Sequence, residues 1–476
     1  MKKRRLEEES MALKAPRCSI LENVAISDKY SATDYSEKFK EIMKSAKPFP
    51  HISLRNFIDN SSNFVEQLET ELQEFPNWRR KENDLYSLYQ TTDFKNIPST
   101  SQPNFFAFRE FLSNVVKPWL EKVSGINLTD QIDITGSCYS ETDNLLPHND
   151  QIETRRFAFV YYLTEVGWSK TDGGALYLFN SDEQCMPTMI GAELLPYRNS
   201  FLLFEVTQRS WHQVAEILQG DRPRLSINGW FHSTRRLKEV VPPPEIIPRF
   251  LPVDLKVNHL NEFASLIYTE NEKLKQINVL FEEESQVLLP TFFKPVSLKK
   301  ITEALKKEQF QLCGPPNKRR IFRLKKEANA KNELGHFYGW LRSNYARAFF
   351  EKVTGCQLKG LHSSVEINRV ERGCYTVMGD EDAAKSKEDG YILEIHFFFG
   401  DLIDFPADVG GSIYYVAKDD EEELMRINPQ MNSAAIIFKE ADVFSFIKYV
   451  THKISNNFYI ISLRYYNVEG DEENVT

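Results

Sequence analysis

Arg224-Leu225-Ser226-Ile227-Asn228-Gly229-Trp230-Phe231 ends a series of short, β-branched and aromatic runs whose spacing decides the fold. The earlier runs cover residues 131–139, 157–163, 175–179, 200–206 and 213–217. Turn chemistry separates them at Asp172-Gly173-Gly174, Tyr197-Arg198-Asn199 and Gly220-Asp221-Arg222-Pro223. Short strands at this spacing predict a sandwich or barrel. Upstream, apolar periodicity predicts helices over 34–46, 61–75 and 104–123, with an extended stretch at 49–54 between the first two. Ser61 or Ser62 is placed to cap the second helix, whose Phe64, Leu68 and Leu72 share a face; Pro118 should kink or split the third.

Length and composition bound the rest. A chain of 476 residues exceeds one ordinary core and predicts two or three domains. With 41% hydrophobic and 27% charged residues it reads as globular, and 34 Phe with 20 Tyr favour β-rich architecture. Six cysteines without a CxxC pair exclude a zinc ribbon or dithiol redox motif. The charged start and the lack of a long apolar run predict no secretory signal and no membrane span, hence a reducing, intracellular setting. A net charge of −9 counts against direct nucleic-acid binding and suits a basic partner, although a solvated surface explains it equally well. Lys2-Lys3-Arg4-Arg5 reads either as a nuclear import signal or as a solubilising terminus.

Chemistry enters at Leu145-Leu146-Pro147-His148-Asn149-Asp150. In an extended strand, residues i and i+2 point to one face, so His148 and Asp150 would present an imidazole beside a carboxylate. His212 follows 64 residues later, at the start of another strand-like run. Two histidines and one carboxylate form the facial triad of non-haem iron(II) oxygenases, which leaves positions open for cosubstrate and oxygen. H-x-D alone matches many chains by chance; its position among the strands, with a basic residue following in the last one, gives it meaning. That residue is Arg224, which shares a strand face with Ser226 and Asn228 and can grip a carboxylate in bidentate fashion. Arg222 has the same parity but lies in a turn before Pro223. His51 and His232 lack a carboxylate at i+2 and are left out of the metal set.

In His148-Asn149-Asp150-Gln151-Ile152-Glu153-Thr154-Arg155-Arg156, Asp172-Gly173-Gly174-Ala175-Leu176, Arg209-Ser210-Trp211-His212-Gln213-Val214 and Arg222-Pro223-Arg224-Leu225-Ser226-Ile227, the chain resembles a known family. These are the 2-oxoglutarate- and iron-dependent prolyl 3-hydroxylases that act on a small-subunit, decoding-centre ribosomal protein. The resemblance covers about residues 48–466. It implies a mainly β fold with flanking helices (α+β): two tandem double-stranded β-helix domains of jelly-roll or cupin type. It also implies that His148, Asp150 and His212 bind iron(II), and that Arg224 pairs with the 5-carboxylate of 2-oxoglutarate beside Tyr139 and Tyr162. For both tyrosines, ordinary strand packing is the alternative. Dioxygen and L-ascorbate complete the implied cofactors, and a basic ribosomal protein in the nucleus and cytoplasm is the implied substrate, with an effect on translation. Asp84-Leu85-Tyr86-Ser87-Leu88-Tyr89 resembles the family's substrate-facing loop.

The domain boundaries expected are a leader at 1–33, a catalytic domain at 34–238, a linker at 239–253, a second domain at 254–468 and an acidic tail at 469–476. Five prolines mark the linker. Long helices are expected over 254–284, 297–311 and 333–353, with strands from 360 to 466. Gly373-Cys374-Tyr375 echoes Gly136-Ser137-Cys138-Tyr139, and Asp408-Val409-Gly410-Gly411 echoes Asp172-Gly173-Gly174. Phe444, His452 and Arg464 repeat the spacing of Phe204, His212 and Arg224, which predicts an internal duplication. No HxD occurs between 360 and 400, so the second copy is expected to be catalytically silent, useful for packing or partner binding. The acidic run 419–423 could meet a basic partner or simply be a solvated loop.

Overall fold

A computed structural model describes residues 24–32, 34–152, 154–238, 245–325, 331–401, 405–417 and 423–468. The basic start, most of the acidic run at 419–423, residues 239–244 of the proline-rich segment and the tail at 469–476 lie outside the described residues. Two compact units divide the chain at Val240, within the proline-rich segment.

In the first unit one antiparallel sheet runs in the order Pro187–Leu194, Leu176–Ser181, His212–Val214, Asn144–His148, Tyr86–Gln90, Ile132–Tyr139, Arg224–His232, Arg155–Tyr162, Ser200–Glu205, His51–Arg55. Side-chain alternation gives this sheet two different faces. From Arg155–Tyr162, Phe157, Phe159 and Tyr161 enter the core beneath the amino-terminal helices; Ala158, Val160 and Tyr162 face the other way. Likewise Phe201 and Leu203 point to the helices, while Leu202 and Phe204 point away. Phe201 lies at the centre of the helical core, stacked on Phe57 at 4.5 Å and on Phe159 at 5.3 Å.

The helices depart from expectation in instructive ways. The second spans Phe64–Gln73 and is entered through Asn60, whose Oδ1 accepts from the Val65 amide; neither Ser61 nor Ser62 caps it. Pro118 does split the third, into Pro103–Phe111 and Lys117–Ser124. A π-turn at Leu112–Val116 joins the pieces and absorbs the amide that proline lacks. Strands Arg79–Glu82, Tyr86–Gln90 and Pro187–Leu194 went unforeseen.

In the second unit the main sheet runs Gln286–Pro290, Ser433–Lys439, Tyr391–Gly400, Phe458–Val468, Ser363–Val370, Arg319–Leu324, Phe310–Cys313. Its first five strands repeat, in reverse reading, the first unit's order from Ile132–Tyr139 to His51–Arg55. The duplication is therefore visible in topology. The long helices are not: the stretch 254–284 breaks at Ala264, which pairs with Phe293, and only Leu260–Phe263 and Asn271–Glu284 are α-helical. The helix Pro295–Lys307 stops before Phe310–Cys313, which forms a hairpin with Arg319–Leu324. Ser343 ends Glu333–Leu341 and caps Asn344–Thr354 through the amides of Tyr345 and Ala346.

Register also corrects the spacing-based match between the copies. In the first unit Leu176 pairs with Val214 and Leu178 with His212. The corresponding ladder pairs Ile413 with Ile447 and Tyr415 with Ser445, so Ser445, not His452, stands where His212 does. Arg224 opens its strand opposite Tyr139, the last residue of the neighbouring strand; Arg464 lies deep in Phe458–Val468, opposite Ser364 near its neighbour's start. Arg464 is instead locked between two buried carboxylates, Glu366 and Glu394 (Nε to Glu394 Oε1, 2.9 Å). Tyr375 pairs with Arg320 rather than taking the place of Tyr139.

Phe201→Ala should remove about 3–5 kcal/mol from the first unit's stability, as truncation of a fully buried phenylalanine does. Urea unfolding followed by first-unit tryptophan fluorescence checks this; an unchanged midpoint would contradict the packing described.

Candidate active site

Sheet register builds the site. His148 ends Asn144–His148, His212 opens His212–Val214, and the two residues are direct antiparallel partners. Their ring centroids lie 4.1 Å apart. Asp150 is not in an extended strand as expected: its φ is +59°, and the turn accepts the Ile152 amide at 2.7 Å. The turn, rather than simple alternation, swings its carboxylate between the rings, with Oδ1 3.5 Å from His148 Nε2 and Oδ2 3.4 Å from His212 Nε2. All three donor atoms fall within 4.8 Å of one another.

Each ring is oriented from behind. His148 Nδ1 lies 2.9 Å from the Leu146 carbonyl and His212 Nδ1 2.8 Å from the Ser210 carbonyl. A carbonyl only accepts, so the proton belongs on Nδ1 and the Nε2 lone pairs face Asp150. Burial, then the neighbouring His148, pushes His212 down to about 4, which keeps the ring neutral. Burial works against charge on Asp150 too, but His212, His148 and Arg155 outweigh it and hold the carboxyl below its usual range. Two imidazole nitrogens and a carboxylate oxygen on one side suit iron(II) and leave the other side open.

Arg224 lies in the same cavity, 1% exposed. Its Nε donates to the Gly174 carbonyl at 2.8 Å and its Nη1 reaches Ser226 Oγ at 3.4 Å, but Nη2 is buried without a partner. The Tyr162 hydroxyl is likewise buried and unpartnered. The guanidinium carbon sits 5.0 Å from the ring centroids of both Tyr139 and Tyr162. Burial raises both phenols, so they remain protonated donors. A buried cation with an idle N–H beside an idle O–H is costly unless an anion joins it. A carboxylate group fits that gap. Gly174 is required there: at φ +66°, an added Cβ would meet Ile217 Cδ1 at 2.5 Å and Arg224 Cδ at 2.8 Å.

Arg222 is engaged elsewhere, 2.5 Å from Asp172. His51 bonds the Phe49 carbonyl, and His232 sits between Asp133 and Thr154 at 3.0 Å each. None belongs to the triad.

The cavity measures about 210 Å³. Residues 84–89 do not form a loop over it: Tyr86–Gln90 is a strand, pairing Tyr86 with Leu145 and Tyr89 with Cys138, and Leu85, Tyr86 and Leu88 line the wall. Trp230 and Arg155 also line it, stacked with the guanidinium 3.5 Å from the indole ring. Trp230 shares the parity of Arg224, Ser226 and Asn228, so strand alternation could have found it. Arg155, the first residue of its strand and paired with His232 across a register shift, carried no such signal.

Comparison with known proteins agrees with this geometry. Residues 134–232 match the 2OG-Fe(II) oxygenase superfamily, and residues 255–474 match the oxoglutarate and iron-dependent oxygenase degradation C-terminal domain. The chain is 32% identical over 452 residues to prolyl 3-hydroxylase OGFOD1 of Xenopus laevis, covering 87% of this chain and 86% of that one. The chain belongs to the OGFOD1 prolyl hydroxylase family. The Mus musculus member is 31% identical over 474 residues, 85% of each chain; a relative from Ostreococcus tauri, 25% identical over 90% of this chain and 99% of its own, is named a prolyl 3,4-dihydroxylase. Among solved structures, a Pseudomonas putida prolyl-4-hydroxylase aligns with 41% of this chain and 98% of its own, at 16% identity and a TM-score of 0.32. This OGFOD1-family member is thus a prolyl hydroxylase with a double-stranded β-helix fold, and iron(II), 2-oxoglutarate and dioxygen are the family's cofactors. Among the described residues, no helix is long and apolar enough to cross a membrane.

Arg224→Ala should raise the apparent KM for 2-oxoglutarate roughly 10- to 100-fold, the loss of a charge-assisted pair. Steady-state kinetics with varied 2-oxoglutarate tests it; an unchanged KM, or a larger defect in Arg222→Ala, would mean that another arginine holds the cosubstrate.

Proposed function

We propose that the first unit hydroxylates ring carbon 3 of a prolyl residue in an exposed, basic loop of a small-subunit ribosomal protein, and thereby affects translation. The observation that carries the catalytic part is the convergence of His148, Asp150 and His212 on a cavity that also holds the unpartnered Nη2 of Arg224. His148, Asp150 and His212 would hold iron(II); Arg224 would take the distal carboxylate of 2-oxoglutarate, with Tyr162 and Tyr139 donating beside it. Iron with 2-oxoglutarate supplies the oxidation: dioxygen is consumed, the oxo acid becomes succinate and carbon dioxide, and one oxygen atom enters the substrate C–H bond. The protein binds and orients. Leu176, Phe204 and Val214 give the cavity apolar walls that restrict water, and the ring orientations set by Leu146 and Ser210 keep both Nε2 lone pairs directed inward.

The second unit is proposed to be silent. Ser445 stands in place of His212, and Arg464 is already neutralised by Glu366 and Glu394. The substrate class is supported by the family's prolyl 3-hydroxylase members and by the net charge of −9, which draws a basic target and weakens with salt. The dihydroxylase relative makes the site and number of hydroxylations the finer question. Ascorbate is proposed as the reductant that keeps iron ferrous, and Lys2-Lys3-Arg4-Arg5 as a signal that brings the protein to the nucleus as well as the cytoplasm.

His148→Ala and Asp150→Ala should each reduce 2-oxoglutarate turnover to background with little change in unfolding midpoint, because the site is grafted on the sheet rather than holding it together. Succinate release at the parental rate by either variant would sink the triad assignment. For the substrate, small-subunit ribosomal proteins from cells depleted of the enzyme should lack a mass gain of one oxygen on a single proline. If every such proline stays fully hydroxylated, the substrate reading fails while the oxygenase reading stands.

A further inference from the structure

A second group of metal-binding side chains lies in the second unit, built from His259, Glu262 and His336. His259 and Glu262 sit three residues apart, at the start and on the face of the helical turn Leu260–Phe263. His336 comes from the helix Glu333–Leu341. Glu262 faces both rings: its Oε1 is 2.8 Å from His259 Nδ1 and its Oε2 is 3.4 Å from His336 Nδ1. The two imidazoles stack at 5.1 Å with planes 20° apart, so both Nδ1 atoms address the same small volume. All three donor atoms lie within 4.8 Å of one another, as in the catalytic triad.

The backbone that carries these side chains is fixed from below. Phe263, next to Glu262, packs edge-on against Phe337, next to His336, at 5.0 Å, and against Trp340 at 5.2 Å. Ser297 donates to the Glu262 carbonyl, and the Lys294 amide to the Phe263 carbonyl. Two elements far apart in sequence are thus locked at one spacing, with their ligating atoms on the solvent side of an aromatic core. Preorganisation of this kind is what a metal site needs. The neighbouring carboxylate Glu333 is taken by Lys300.

We propose that His259, Glu262 and His336 bind a zinc ion that staples the turn Leu260–Phe263 to the helix Glu333–Leu341. Imidazole and carboxylate donors serve zinc as well as iron(II), and of the two metals zinc binds such donors more tightly. Glu262 is 51% exposed and His336 42%, and neither lines the catalytic cavity, so the role is structural. Binding to the folded chain alone raises its stability by mass action.

The test uses the full chain carrying Asp150→Ala and His212→Ala, which disables the first metal site, dialysed against zinc and assayed by metal analysis and thermal unfolding. One zinc per chain and a zinc-dependent rise in melting temperature are expected. Adding His336→Ala or Glu262→Gln, both at solvent-exposed positions, should weaken zinc binding at least tenfold and abolish the rise. No bound zinc in the starting variant, or zinc retained at equal affinity in both further variants, would overturn the proposal.

Discussion

The catalytic half depends on one pairing: His212 directly opposite His148 across two antiparallel strands. Because side chains alternate along a strand, a one-residue slip would turn one imidazole out of the cavity. Everything else in the site is hung on that register. The Leu146 and Ser210 carbonyls that orient the rings are two residues back on the same chains, and Asp150 needs only one turn, at φ +59°, to reach between them. Arg224 lines the same cavity from the end of the ladder where Tyr139 also sits. The sheet can hold this polar face only because its other face is anchored by Phe57, Phe159 and Phe201 under the helices.

The two units show what separates a working site from its duplicate. Their central strand orders match, yet the first keeps an arginine with an idle N–H and the second buries Arg464 in an ion network with Glu366 and Glu394. Burial opposes charge on Glu394, but Arg464, Lys439 and His396 hold its carboxyl well below the usual range. A network satisfied from within has no need of an external anion; an arginine left incomplete does. The same backbone plan thus serves binding in one copy and internal structure in the other.

Much of the site was legible because its residues carry local signals. His148-x-Asp150, the Arg-Ser-Asn face of the last strand and the Asp172-Gly173-Gly174 turn can each be read within a few positions; the structure brings His148, Asp150, Arg224 and Asn228 into one cavity, and the turn's Gly174 carbonyl accepts from Arg224. What spacing could not convey was register. The match of His452 and Arg464 to His212 and Arg224 counted residues along the chain, whereas a different loop length before the last strands moves Ser445 into the histidine position. Helix boundaries failed for a related reason. Ala264 and the 310–313 segment have sequences compatible with helix, but pairing with Phe293 and with Arg319–Leu324 wins over local propensity. Residues 84–89 resemble the family's substrate-facing loop, yet Tyr86–Gln90 inserts as a strand between two others of the sheet.

The most direct test of the central claim is anomalous diffraction at the iron edge from anaerobic crystals of the full chain with iron(II) and 2-oxoglutarate. The account predicts one iron peak bounded by His148, Asp150 and His212, with the distal carboxylate of the oxo acid on Nη2 of Arg224 and the Tyr162 hydroxyl. An iron peak in the second unit, or 2-oxoglutarate bound away from Arg224, would contradict it.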